Sequence, residues 1–182
     1  MSSITTCPLP PDALLLAYRR DGAYTDCYAI DLPRRVSRAR YVEAFCKTAV
    51  FRLVRRLLRW FAAKPSTNLH ARQLAKGAIY SFAAWHVEAR GANQLLLCDD
   101  AGSTRAWLMT VADVADAAIA RLYFGSAVIP RRRTAADGAT LGFVFRGLLG
   151  FHTLYSRVLL GAAARRLLRI DRETGAAGQS CA

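Results

Sequence analysis

The spacing of apolar positions changes character several times along the chain, and each change predicts a new element. Residues 22–33, GAYTDCYAIDLP, mix aromatic and small side chains and stop at Pro33, as a first strand would. Helical spacing follows in SRARYVEAFCKT, where Ser37 is placed to cap a helix carrying Tyr41, Ala44, Phe45 and Thr48 on one face. A second helix is predicted over residues 49–64, AVFRLVRRLLRWFAAK. There Arg52, Arg55, Arg56 and Arg59 fall within one third of the wheel, and Phe51, Val54, Leu57, Leu58 and Phe61 take the other side. KPSTNLH breaks the pattern, and ARQLAKG predicts a short third helix.

The middle of the chain alternates instead. FAAWHVEAR puts Trp85, Val87 and Ala89 on one face and His86, Glu88 and Arg90 on the other, as in a half-buried antiparallel strand. GAN turns into QLLLCD, and DAGS turns again into TRAWLMTV; CDDAGS, two carboxylates beside a thiol, reads as a hairpin turn with Asx-type hydrogen bonding. AAIARLYFGSAVIP, closed by Pro130, adds another run. The expected sheet is mostly antiparallel, with at least four or five strands counting the first. After RRRTAADGAT the chain is helical again from about Leu141 to Leu168, with Leu141, Phe145, Leu148, His152, Tyr155, Ser156, Leu159 and Ala163 on one stripe. Arg146 and Arg157 point away from it. The stretch is long enough for a membrane span, but Arg146, His152, Arg157, Arg165 and Arg166 would cost several kcal/mol in total there, so a helix packed on the sheet is expected.

Composition bounds this picture. The chain of 182 residues, 53 % hydrophobic, can bury one continuous core. A single domain is expected over residues 21–170, with 1–20 as an N-terminal extension and 171–182 as a flexible tail. Pro8, Pro10, Pro11 and Asp12 interrupt the start of the chain, so no secretory leader is expected. Cysteines at 7, 27, 46, 98 and 181 are scattered and never in a Cys-x-x-Cys pair, and read as reduced thiols of a cytoplasmic protein without structural zinc. The net charge of +13 comes from 23 Arg and 3 Lys against 13 acidic residues, in a chain rich in Ala, Leu and Gly, so GC-rich coding accounts for part of it. The arginine face is first of all a solvated helix surface with its methylene stems over apolar neighbours. Its sharper readings are an anionic membrane surface or phosphate contacts. Nucleic acid is disfavoured, because no zinc-finger spacing, RNA-binding aromatic signature or helix-turn-helix accompanies the charge.

The order strand, two or three shorter helices, antiparallel meander and long C-terminal helix is that of an α+β helix-grip fold, a curved sheet wrapped on the last helix, as in START-like proteins. The segments YTDCYAIDLP, FAAWHVEARGANQLLLCD, TRAWLMT, LYFGSAVIP and GFHTLYSRVLL resemble those of a bacterial domain-of-unknown-function family, numbered 2867, within that superfamily. The likeness covers most of the chain from Tyr24 to Leu160. It implies a fold and a cavity rather than a reaction.

A curved sheet on a long helix tends to leave an elongated, mostly apolar pocket with a few polar groups. Trp85, Trp107, Phe124, Leu148 and Leu159 are its expected apolar wall, with Arg105, Ser126, His152 and Tyr155 as polar candidates. Arg105 shares strand parity with Trp107 and Met109, so the two side chains should point the same way. Each candidate has a plainer role. His152 and Tyr155 fit as core residues with hydrogen-bond partners, Arg105 as half of a salt bridge, and Asp26 as a strand-end carboxylate receiving backbone or arginine bonds. No Gly-x-Ser-x-Gly elbow, phosphate loop, dinucleotide fingerprint or His-x-x-x-His pair is present, and no cofactor or metal is expected. Three readings stay open. They are binding of a small hydrophobic molecule, lipid or polyketide-like; a cofactor-free cyclase or dehydratase with His152 as acid or base; and a peripheral module acting through Arg52, Arg55, Arg56 and Arg59.

Overall fold

A computed structural model describes residues 3–53, 67–112, 118–129 and 154–170. The elements are β1 (Thr5–Thr6), α1 (Leu16–Arg20), β2 (Tyr24–Leu32), α2 (Arg38–Cys46), α3 (described over 49–53), α4 (Asn68–Lys76), β3 (Ser81–Phe82), β4 (Trp85–Arg90), β5 (Gln94–Asp99), β6 (Thr104–Ala112), β7 (Ala120–Val128) and α5 (described over 154–170). The fold is α+β. Seven strands form one curved antiparallel sheet in the order β1-β2-β7-β6-β5-β4-β3. The run β4 to β7 follows the expected strands, FAAWHVEAR is divided into β3 and β4 around Ala83 at φ 55°, and β2 closes on the far side of β7 along its whole length, from Tyr24↔Val128 to Leu32↔Ala120.

Local chemistry accounts for the helix ends. The Ser37 hydroxyl accepts from the Arg40 N–H at 3.3 Å, and Thr67 accepts from His70 N–H at 3.2 Å, so both helices start on side-chain caps. Helix α4 stops at Gly77 in the left-handed region, φ 87°. A Cβ there would also meet the Arg90 guanidinium at 2.2 Å. That guanidinium donates to the Leu74 and Ile79 carbonyls and closes the helix end.

One face of the sheet, the inner face, carries α2, α4 and α5. Tyr28, Ile30, Leu95, Leu97, Leu108, Leu122 and Phe124 from the strands pack there with Tyr41, Phe45, Leu74, Leu159, Leu160 and Leu167 from the helices. Phe45 lies at the centre, its ring 5.0 Å from Phe124, 5.5 Å from Phe51 and 6.4 Å from Tyr41. The Tyr41 hydroxyl, wholly enclosed, donates to the Tyr123 carbonyl at 3.0 Å and ties α2 to the sheet.

The opposite, outer face differs from the sequence expectation. Within the segment expected as an extension outside the domain, Leu9, Ala13, Leu14, Leu15, Leu16 and Tyr18 pack with Cys27, Leu96, Trp107, Met109 and Ala127. Leu15 and Trp107 are both 0 % exposed. Gly125 makes the close approach feasible, because a Cβ there would meet Asp26 O at 2.8 Å, Trp107 Cε3 at 3.0 Å and Leu15 Cδ2 at 3.1 Å. Both faces of the sheet are therefore buried over much of its area.

Strand β4 also departs from simple alternation. A register shift between Val87 and Ala89 places Val87 across from Leu97 but Arg90 across from Leu95, so Glu88 and Ala89 share the outer face and Arg90 turns inward.

The β5–β6 turn follows its sequence. The Asp99 carboxylate accepts from Ser103 N–H at 2.7 Å, Ser103 Oγ at 2.9 Å and Thr104 N–H at 2.9 Å. Burial works to raise its pKa, but these donors outweigh it and hold the carboxyl below its usual range. Asp99→Ala should cost about 1–2 kcal/mol at pH 7 in a denaturation experiment. Because the folded pKa is depressed, this contribution is full above the unfolded value of about 3.9 and disappears as pH falls through the folded one. The gap between variant and parent should therefore shrink in acid; a gap constant down to pH 2 would show that the carboxylate charge is not what holds the turn.

Candidate functional site

The inner face collects some of the predicted pocket residues. Trp85 is half-buried against the inner cluster, and Phe124 lies within it. Ser126 and Asp26 are buried and sit directly opposite each other on β7 and β2. The carboxylate accepts from Ser126 N–H at 2.9 Å and from the Ser126 hydroxyl, so Asp26 is the strand carboxylate bound to backbone that its position in the sequence allowed. Tyr155 packs at the border of the same cluster, and burial pushes its hydroxyl up to about 12, so it is protonated at neutral pH. Leu148 and His152 lie outside the described residues.

Helix α5 presents Ser156, Leu159, Leu160, Ala163, Ala164 and Leu167 inward, all fully or nearly fully buried. Ser156 is 0 % exposed, and its hydroxyl has no hydrogen-bond partner among the described residues. A buried hydroxyl in that state costs about 1–3 kcal/mol unless water or a ligand satisfies it. Its place on the helical stripe was readable, but its lack of a partner depends on what faces it in three dimensions.

Trp107 and Arg105 are not part of this surface. They share a face as strand parity requires, but it is the outer one, away from α5. Trp107 Nε1–H donates to Gln94 Oε1 at 2.9 Å. Arg105 Nε lies 2.6 Å from Glu88 Oε2, donates to the Tyr18 hydroxyl at 3.0 Å and stacks its guanidinium 4.7 Å above the Tyr18 ring. Tyr18 donates in turn to Glu88. This network ties α1 to the sheet. Glu88, on the face opposite Val87 as alternation requires, supplies the carboxylate, so Arg105 is the salt-bridged residue of its plainer reading rather than a pocket anchor.

A cleft of about 440 Å³ opens between β2 and α5. Ile4, Ile30, Leu32, Pro33, Ala164 and Leu168 contribute its apolar lining, and Arg157 and Arg165 its positive charge. Arg157 is held by a bond to the Ile4 carbonyl at 3.3 Å and by the Tyr28 ring, 6.0 Å from its guanidinium carbon. Asp31 also borders the cleft, but Arg121 grips both of its oxygens, at 2.7 and 2.8 Å, and holds its carboxyl below the usual range. Arg165 is exposed and makes no ion pair among the described residues. The cleft thus joins an apolar floor to two guanidiniums whose neighbouring carboxylate is already engaged. It was hidden in the sequence because Ile4 comes from the segment expected to lie outside the domain.

Among the described residues no three His, Cys, Asp or Glu side chains group as metal ligands, and no helix is long and apolar enough to cross a membrane. Of the arginine face, Arg52 is exposed on α3, while Arg55, Arg56 and Arg59 lie outside the described residues. No protein-family model, curated protein or solved structure matches the chain.

Proposed function

We propose that this is a cytoplasmic helix-grip protein of START-like type that binds a small amphipathic molecule between its sheet and α5. The apolar body lies along Ile30, Leu32, Ala164 and Leu168, and an acidic end group meets Arg157 and Arg165. The observation that carries this reading is the cleft between β2 and α5, whose volume of about 440 Å³ suits a lipid-sized or polyketide-sized ligand. The closure of the first long strand β2 on the last strand β7, with α5 against the inner face, supports the fold assignment. Acid–base chemistry with His152 is the second reading; that residue lies outside the described residues.

Displacement of a fluorescent fatty-acid analogue tests the reading, alongside native mass spectrometry of the purified protein for a retained ligand. The double variant Arg157→Gln/Arg165→Gln should bind the carboxylate probe about 10–100-fold more weakly, as expected for losing charge-assisted hydrogen bonds. Its affinity for the corresponding fatty alcohol should change less than about threefold, within the neutral-bond range. Equal losses for acid and alcohol, or no saturable binding by the parent protein, would sink the proposal.

A further inference from the structure

Beside the outer cover, β1 and β2 bring two cysteines together. The register Thr5↔Ala29, Thr6↔Tyr28 continues one step to Cys7 and Cys27, whose backbones are joined by Cys7 N–H to Cys27 O at 3.1 Å. Their sulfur atoms are 3.5 Å apart. Residues directly opposite in antiparallel strands have Cα atoms about 4.5–5.5 Å apart, within the span that a disulfide bridges. Side-chain rotation alone can therefore close the remaining gap. Cys7 is half-buried and Cys27 buried. A surface cleft of about 450 Å³ gives access to the pair, with the exposed Arg19 on its wall. Cys46 on α2 and Cys98 on β5 are both buried away from this cleft.

We infer that Cys7 and Cys27 form a thiol–disulfide exchange site, whose oxidant is a small carboxylate-bearing disulfide docked beside Arg19, and that the product is a bridge fastening the N-terminal cover to β2. The accessible Cys7 thiolate attacks one sulfur of the oxidant, forming a mixed disulfide and releasing the first thiolate. Cys27 then loses its proton to solvent, attacks Cys7 Sγ and expels the second thiolate. Two electrons and two thiol protons leave the protein, and one disulfide becomes two thiols. Burial, with Cys7 and Asp26 adding to it, pushes the Cys27 thiol well above its ordinary pKa, so Cys27 is the resolving partner and not the first attacker. The bridge joins positions 20 apart and encloses α1 together with the segment over Trp107.

Native protein exposed to oxidised glutathione, quenched in acid, alkylated and digested should yield one bridged peptide pair, Cys7 with Cys27. It should form at least about tenfold faster than in urea-unfolded protein, because folding holds the sulfurs together. Oxidation should also slow proteolytic cutting within residues 8–20 severalfold. Cys27→Ala should stop at the glutathione adduct on Cys7, and Cys7→Ser should give neither bridge nor adduct on Cys27. Should Cys27→Ala not fold, the time course of the parent protein still decides, since the Cys7 adduct must appear before the bridge. An adduct on Cys7 that never converts, a bridge that forms no faster in native than in unfolded protein, or comparable yields of bridges to other cysteines would each overturn the inference.

Discussion

Trp107→Ala should lower the free energy of unfolding by about 3–5 kcal/mol, the range for truncating a buried aromatic side chain. The site has no room to be solvated, because the ring is 0 % exposed and covered by Ala13 and Leu15. Its indole N–H shares Gln94 Oε1 with the Leu14 N–H, at 2.9 and 3.0 Å, while Gln94 Nε2 donates to the Asp12 carbonyl at 3.0 Å. Removing the ring therefore leaves a cavity under the cover and one lost bond, while Gln94 keeps its two anchors to residues 12 and 14. Trp107→Phe separates the two contributions, since it keeps most of the packing and loses the hydrogen bond and part of the volume; about 1–2 kcal/mol is expected. Urea denaturation reads both variants, and limited proteolysis should show residues 8–20 cut sooner in Trp107→Ala. A loss below about 1 kcal/mol, the scale of a surface substitution, would mean that the N-terminal segment is not part of the core.

The second large effect belongs to the inner face. Phe45→Ala should also cost about 3–5 kcal/mol, because it removes the ring against which Phe51, Phe124 and Tyr41 all pack. Phe45→Leu fills more of the space and should cost roughly half as much, since a smaller cavity remains. The two side chains lie in separate clusters on opposite faces of one sheet, so the double variant Phe45→Ala/Trp107→Ala should show near-additive losses. Calorimetric or denaturant unfolding of all four proteins tests this; losses for Phe45→Ala below 1 kcal/mol would remove α2 from the core.

What was legible in the sequence was local. Ser37 as a cap, Pro33 as the end of a strand and CDDAGS as an Asx-type turn each depend on a few consecutive residues, and the structure uses them as expected, with Asp99 as the acceptor of the turn. Strand parity correctly put Arg105 and Trp107 on one face but could not say which face met α5, because apolar residues line both. The deciding side chains lie within residues 1–20, where Leu15 and Tyr18 cover the outer face. The shift at Val87 and Ala89 leaves no mark in a pattern of apolar and polar residues, since Ala89 and Arg90 fit either register. Cys7 and Cys27 looked scattered because their nearness comes from strand pairing, and Arg157 and Arg165 looked like ordinary surface charge because Ile4 completes their cleft from elsewhere in the chain.

The pairing of β2 with β7 also sets the order in which the nascent chain can mature. Asp26 and Ser126 are bound to each other from 100 positions apart, so at ribosomal rates β2 emerges about 5–20 s before its central neighbour exists. During that time Cys27, Tyr28, Ala29 and Ile30, all buried in the finished sheet, have only the short strand β1 beside them. A long strand waiting with an open hydrogen-bonding edge is the setting in which chains pair with each other instead of with themselves. Refolding should accordingly be slow for a chain of this size and lose yield as concentration rises, and a holdase chaperone that shields β2 should restore it.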